Sequence, residues 1–355
     1  IAASGFSDAV NFRNIVINGD MTVSQRGTST ASITSGDYYT VDRFRTFINN
    51  TAGTWTQSQS TTVPTGEGFV NSLKMDCTTA KGSLSAGDIL SIRQAFEGQS
   101  LQYLNKGRST AKSLTASFWV RSNKTGTYIV ELEDRDNTRY VSQSYTISSA
   151  DTWEKKRVTF PGDTSGGLSN DNGESIRFNF WLAAGTNYTS GTLGTTWHTT
   201  NANRAVGSVN LADSTDNEWY VTGVQLEAGD TASEFEFLPP DINKIRCLRY
   251  CYSEPQGDSY HAIMNGFFPT TSLFIGLLNL PVKMRDTPTL TTSGNFAAAG
   301  TSDYSASSFT LNDMSLSEYS SVQVRASVSS VTAGQGANLR NNNDTSATFI
   351  LSAEI

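Results

Sequence analysis

The stretch Ser175-Ile176-Arg177-Phe178-Asn179-Phe180-Trp181-Leu182 carries an apolar residue at every second position. Successive side chains leave a pleated backbone on opposite faces, so this period marks a half-buried strand. Ile176, Phe178, Phe180 and Leu182 are expected inward. Leu114, Ala116, Phe118 and Val120 repeat the pattern, and Asn123-Lys124-Thr125-Gly126 turns the chain into a further strand at 127–133. Segments 140–147, 153–160 and 219–226 read the same way, with Gly223 marking a bulge in the last. Short strands separated by Gly, Asn, Asp and Ser clusters, with no competing helical period, predict an antiparallel β-sandwich over 36–238.

Outside that span the pattern changes. Residues 1–35 are polar apart from Ile15-Val16-Ile17, and are expected to be an attachment or linker segment. Pro239-Pro240-Asp241 offers a helix start, Ile242, Ile245, Leu248 and Tyr252 recur at helical spacing, and Pro255 ends the run. Residues 239–255 thus predict a short helical linker. Beyond it, 256–355 predicts a smaller C-terminal β-domain with strands at 262–267, 272–280, 321–330 and 348–352. Ala297-Ala298-Ala299-Gly300 and 305–308 read as loops. The expected class is all-β.

Composition agrees. Ser and Thr make up 89 of 355 residues and charged residues 17%, while 18 Phe, 13 Tyr and 6 Trp supply the bulk a packed core needs. A net charge of −7 argues against nucleic-acid binding through a basic face. No apolar run is long enough to span a bilayer, and Ile1 to Gly5 shows no leader pattern, so neither insertion nor a signal peptide is expected. Three Cys make no disulfide framework, and two His no zinc site.

Eight motifs follow in one order: Asn18-Gly19-Asp20-Met21, Tyr39 to Phe44, Arg93-Gln94-Ala95-Phe96-Glu97-Gly98, Ser117 to Ser122, Thr152-Trp153-Glu154, Val158 to Gly167, Trp219 to Gly229, and Cys247 to Tyr252. This succession, over roughly 14–255, resembles tail-fibre and other virion structural proteins of tailed phages that carry a jelly roll like a carbohydrate-binding module. Leu280 to Arg285 and the closing Ser352-Ala353-Glu354-Ile355 resemble the terminal β-domain of such proteins. The resemblance implies a jelly roll, a virion-surface location in a tail or head fibre, homotrimeric assembly and contacts with other virion proteins. A host-surface glycan is the implied partner. A head decoration without a receptor role, and a carbohydrate-binding module of a secreted glycan-processing protein, are the alternatives.

Candidate sites follow from chemistry. Sugar rings stack on aromatic faces, and Trp119, Trp181 and Trp197 are the candidate platforms, with Tyr128, Tyr140, Tyr145 and Tyr188 as neighbours. The bland reading is packing under loops or against another subunit. Modules of the resembled class often hold a structural calcium, for which Asp20 is the candidate, although the usual acidic position after Trp-Tyr-Val is Thr222 here. No other cofactor is expected. Glycoside cleavage needs two carboxylates about 5–9.5 Å apart. Glu131 and Glu133 share a strand face, but a solvated face paired with Lys155 or Arg157 explains them, and no enzyme is expected. Arg93 and Glu97 are expected as a buried pair stabilising a loop. Cys247 and Cys251 are expected to share one helix face as packing residues.

Overall fold

The computed structural model describes residues 12–50, 52–255, 257–312 and 320–355. The chain forms two compact units, one ending at Pro239 and one over Pro240–Glu354.

The first unit is an antiparallel jelly-roll sandwich. One sheet has six strands in the order β1 (Ser29–Ile33), β3 (Thr54–Ser60), β4 (Ser72–Thr79), β11 (Glu218–Ala228), β6 (Leu114–Ser122) and β9 (Glu154–Phe160). The other has five: β2 (Arg45–Asn49), β5 (Ile89–Glu97), β10 (Glu174–Ala184), β7 (Gly126–Asp134) and β8 (Arg139–Ile147). From β4 onward the chain passes back and forth between the sheets, apart from the β7–β8 hairpin within the five-stranded sheet, and β10 enters between β5 and β7 while β11 enters between β4 and β6. The alternating residues meet in between: Phe118, Val120, Phe178, Phe180 and Trp219 are buried in one core. Their rings pack edge-on, Phe118 to Phe180 at 5.0 Å and Phe178 to Phe180 at 4.9 Å between centroids.

Several expectations are corrected here. The 1–35 segment is no linker where it is described: Val16, Met21, Val23 and Ile33 are buried, and β1 pairs with β3. Its Asn18-Gly19 turn lies against β11, where a Cβ on Gly19 would meet the Val224 carbonyl at 2.0 Å. Residues 1–11 of that expected segment lie outside the described residues. Gly223 does form a bulge, since the β11–β6 register shifts between Thr222 and Gln225.

The second unit begins with the helix Pro240–Leu248, followed after a short turn by β12 (Cys251–Glu254). It is therefore part of a domain, not a linker. The helix buries Asn243, Cys247 and Leu248 and exposes Ile245, so its inner face is not the one the Ile spacing suggests. β12 joins β20 (Thr348–Ser352) and β15 (Thr289–Ser293) in a three-stranded sheet. The remaining strands close a six-stranded barrel, β13 (Ala262–Thr270), β14 (Leu273–Asn279), β18 (Ser321–Ser327), β17 (Asp303–Leu311), β16 (Phe296–Ala299) and β19 (Gly336–Asn341). Ala297–Ala299 and 305–308, expected as loops, are strands that pair with each other, Ala297 opposite Ser305. Small side chains at Ala297 and Ala298 fit a barrel wall where larger neighbours such as Phe268 and Phe274 fill the interior. No helix among the described residues is long and apolar enough to cross a membrane.

Candidate functional site

The outward face of the five-stranded sheet is organised in rungs set by strand register. One rung runs Arg45, Arg93, Asn179, Glu131 and Ser142 across β2, β5, β10, β7 and β8. Beside it run Phe47, Ser91, Trp181 and Ile129. On the other side Ala95, Arg177, Glu133 and Tyr140 line up. Above these rungs sits the connection from β10 to β11, whose short helix Thr186–Thr189 supplies Tyr188 and whose later part supplies Arg204.

Between the connection and the sheet lies a cavity of about 260 Å³. Its lining includes Phe47, Ser91, Arg93, Asn179, Trp181, Tyr188 and Arg204. Trp181 is 2% exposed, with its ring 5.5 Å from that of Tyr188. Its indole N–H donates to Glu131 Oε2 at 2.7 Å.

A charge network forms one wall. Arg204 donates from Nη2 to Glu131 Oε1 at 2.7 Å and from Nε to the same carboxylate at 3.0 Å. Its Nη2 also donates to Glu133 Oε2 at 3.0 Å, and its guanidinium lies 3.9 Å from the Tyr140 ring centroid. Arg135 donates to Glu133 at 2.8 Å. Burial pushes the Glu133 carboxyl up, but the Arg204, Arg177 and Arg135 guanidinium groups outweigh it and hold it below the usual range. The solvated face expected for Glu131 and Glu133 is therefore wrong. Both are buried on Arg204, while Lys155 lies on β9 in the other sheet and pairs with Glu234 at 3.0 Å. Burial pushes the Glu131 carboxyl up to about 7, against the opposing pull of the Arg204 guanidinium.

The opposite wall is not neutralised. Arg93 is 6% exposed and stacks on Phe47, its guanidinium carbon 3.6 Å from the ring centroid. No carboxylate among the described residues pairs with it, and its Nε has no hydrogen-bond partner. Burial, then Arg177 and Arg45, pull its pKa down to about 9 against the weaker opposing fields of Glu133 and Glu174, which still leaves it cationic at neutral pH. Asn179 Oδ1 and Arg45 Nε also lack partners.

The sequence-derived candidates do not converge. Trp181 lines the cavity, whereas half-buried Trp119 stands on β6 in the six-stranded sheet opposite Thr222. Trp197 donates to the Pro161 carbonyl at 2.7 Å with Lys106 Nζ 5.0 Å from its ring. Tyr128 and Tyr145 are packed in the core, their rings 5.6 Å apart, and Tyr140 lies beneath Arg204. Asp20 accepts from the Thr22 hydroxyl at 3.1 Å, and no cluster of three or more acidic, His or Cys residues that could hold a metal occurs among the described residues. The expected Arg93–Glu97 pair does not form: four residues apart on one strand, they are separated by about 13 Å. Glu97 instead accepts from Gln99. Cys247 and Cys251 are both buried, but Cys247 is helical and Cys251 opens β12, so they share no helix face.

Comparison with known proteins adds context. No family model matches the chain, and no curated protein does. Among solved structures, the enzymatically active domain of tailspike protein 4 from bacteriophage CBA120 is similar at 13% identity and a TM-score of 0.31, over 61% of this chain and 22% of that one. This chain thus spans less than a quarter of that protein's length. A family 61 carbohydrate-binding module in complex with β-1,4-galactotriose is similar at 10% identity and a TM-score of 0.29, over 61% of this chain and 99% of the module. The family 11 module from Clostridium thermocellum, in complex with a β-1,3-1,4-mixed-linked tetrasaccharide, gives 12% identity, a TM-score of 0.27 and coverage of 58% and 98%. The assignment of a jelly roll rests on the strand order of this chain itself, in which β10 and β11 each enter the middle of their sheet.

Proposed function

We propose that this protein is a non-catalytic glycan-binding subunit of a tailed-phage virion surface, most simply of a tail fibre, and that it works as a homotrimer. One observation carries the binding reading: a cavity on the outward face of the five-stranded sheet combines aromatic rings at Phe47, Trp181 and Tyr188 with hydrogen-bonding groups at Ser91, Arg93 and Asn179. Glycan sites need that mixture, apolar faces for the ring and fixed polar groups for its hydroxyls. The virion placement is supported by the order of the eight sequence motifs. Trimerisation would multiply a weak single-site affinity by avidity.

Binding to a glycan array, and its loss in Tyr188→Ala, tests the site. Adsorption to host cells, competed by the purified protein, tests the placement. A protein that binds sugars as a monomer and competes with no phage would instead be a module of a glycan-processing protein. One that binds the virion but no glycan would be a decoration.

A further inference from the structure

Arg93 and Arg45 stand directly opposite each other on β5 and β2, and neither side chain has a hydrogen bond or ion pair within the described residues. Like charges facing each other across an antiparallel pair repel, and a guanidinium removed from water without a counter-charge is costly. The aromatic contacts, Phe47 at 3.6 Å from Arg93 and Tyr38 at 5.9 Å from Arg45, offset part of that cost and supply no hydrogen-bond acceptor. Arg93 lines the cavity and Arg45 stands next to it on the neighbouring strand, outside the lining. The other three arginines of the lining each have a carboxylate: Arg204 takes Glu131 and Glu133, Arg135 takes Glu133, and Arg177 takes Glu174. The acidic groups of this face are thus committed on one side, and a cationic gap remains on the other. Directly across from Arg93 on β10, Asn179 is 2% exposed, and its Oδ1 lacks a donor while its Nδ2 faces Glu133 Oε2 at 3.4 Å.

We infer that the cavity takes an acidic glycan, its carboxylate seated on Arg93 with Arg45 beside it and a neighbouring hydroxyl donating to Asn179 Oδ1. This rests on the glycan-binding reading and narrows its substrate class to sugars bearing a carboxylate, the uronates and sialates. Planar guanidinium groups match carboxylates in charge and fork geometry. An orphaned acceptor 2% exposed beside an orphaned donor suits a ligand that offers both an anion and a hydroxyl. A volume near 260 Å³ lies just below the usual size of a drug-sized pocket, so it admits one sugar unit of a longer chain.

The test uses the full chain on an array of uronate-containing, sialate-containing and neutral glycans, with carboxyl-reduced counterparts and with inorganic sulfate as a soluble competitor. Binding confined to acidic members, lost on carboxyl reduction and weakened at least tenfold in Arg93→Gln, is the expected result. The free Arg93→Gln protein should melt no lower than the parent, because the substitution removes an unpaired buried charge. Arg45→Gln, at the half-exposed neighbour, should weaken acidic binding by a smaller factor and serves if Arg93→Gln does not fold. Equal binding to the carboxyl-reduced glycans would overturn the acidic specificity and leave glycan binding standing. Sulfate binding that depends on Arg93 with no glycan bound, or no binding at all, would overturn both.

Discussion

Arg204 and Glu131, 73 residues apart in sequence, are joined by three hydrogen bonds of 2.7, 3.0 and 3.2 Å where the carboxylate is fully buried. This contact ties the long β10–β11 connection to the floor of the cavity, and Trp181 is held by the same carboxylate. Breaking a buried pair by removing one partner strands the other charge. Glu131→Ala should therefore destabilise the protein by about 3–5 kcal/mol, and the Glu131→Ala/Arg204→Ala double variant by less than the sum of the two singles. Urea denaturation of the cycle checks this. Additive losses would show that the two residues do not act as a unit.

Gly223 occupies a left-handed conformation at φ 61°, and a Cβ there would come within 2.6 Å of Phe69 Cζ. Phe69 is itself fixed between Phe235 and Phe237, with ring centroids 5.1 and 5.0 Å away. Gly223→Ala thus combines backbone strain with a clash, and should cost about 1–3 kcal/mol. A denaturation midpoint equal to the parent's would mean that the bulge relaxes without resistance.

Glu133, Asp163 and Glu218 are among the carboxylates whose pKa values folding lowers. Burial pushes each one up, but Arg204, Arg177 and Arg135 lower Glu133, Arg139, the Ser165 amide and Lys106 lower Asp163, and Lys74, Tyr220 and Arg121 lower Glu218. A folded-state pKa below the unfolded one, about 4.3 for Glu and 3.9 for Asp, gives stability that is complete above the unfolded value. That stability is lost as pH falls through the folded value. Below about pH 4.5 the urea midpoint should therefore drop with each step of acid, and Glu133→Gln should flatten the slope. A midpoint that holds or rises in that range would contradict the assignment.

Light scattering after size exclusion should give a particle of three times the 38.4 kDa chain mass. A monomer would remove the avidity argument and favour the glycan-processing reading.

The sandwich core was legible because its sequence signal is local: an apolar residue at every second position of 176–182 and 114–120 needs no knowledge of partners. The barrel was only partly legible. Ala297 to Ala299 lack β-branched or aromatic bulk and read as a loop, although a closed barrel accepts small residues in its wall. At the C-terminal boundary, a spacing of four fits Cys247 and Cys251 to a helix, but the chain leaves the helix after Leu248. Within the cavity, Trp181 could be found from its phase in the strand. Arg204 gave no signal, since it lies in a polar connection, and its role depends on carboxylates 71 and 73 residues upstream. Glu131 and Glu133 looked solvated for the same reason: what buries a charge is a partner brought in by the fold. Phe47, placed by the pairing of β2 with β5, was equally out of reach of a local reading.

The most direct test of the account is hydrogen–deuterium exchange with and without a bound acidic glycan taken from the array. Protection is predicted over β2, β5 and β10 around Phe47, Ser91, Arg93 and Asn179, and in the connection carrying Tyr188 and Arg204. Protection confined to the six-stranded sheet around Trp119, or to the C-terminal barrel, would contradict the placement of the site.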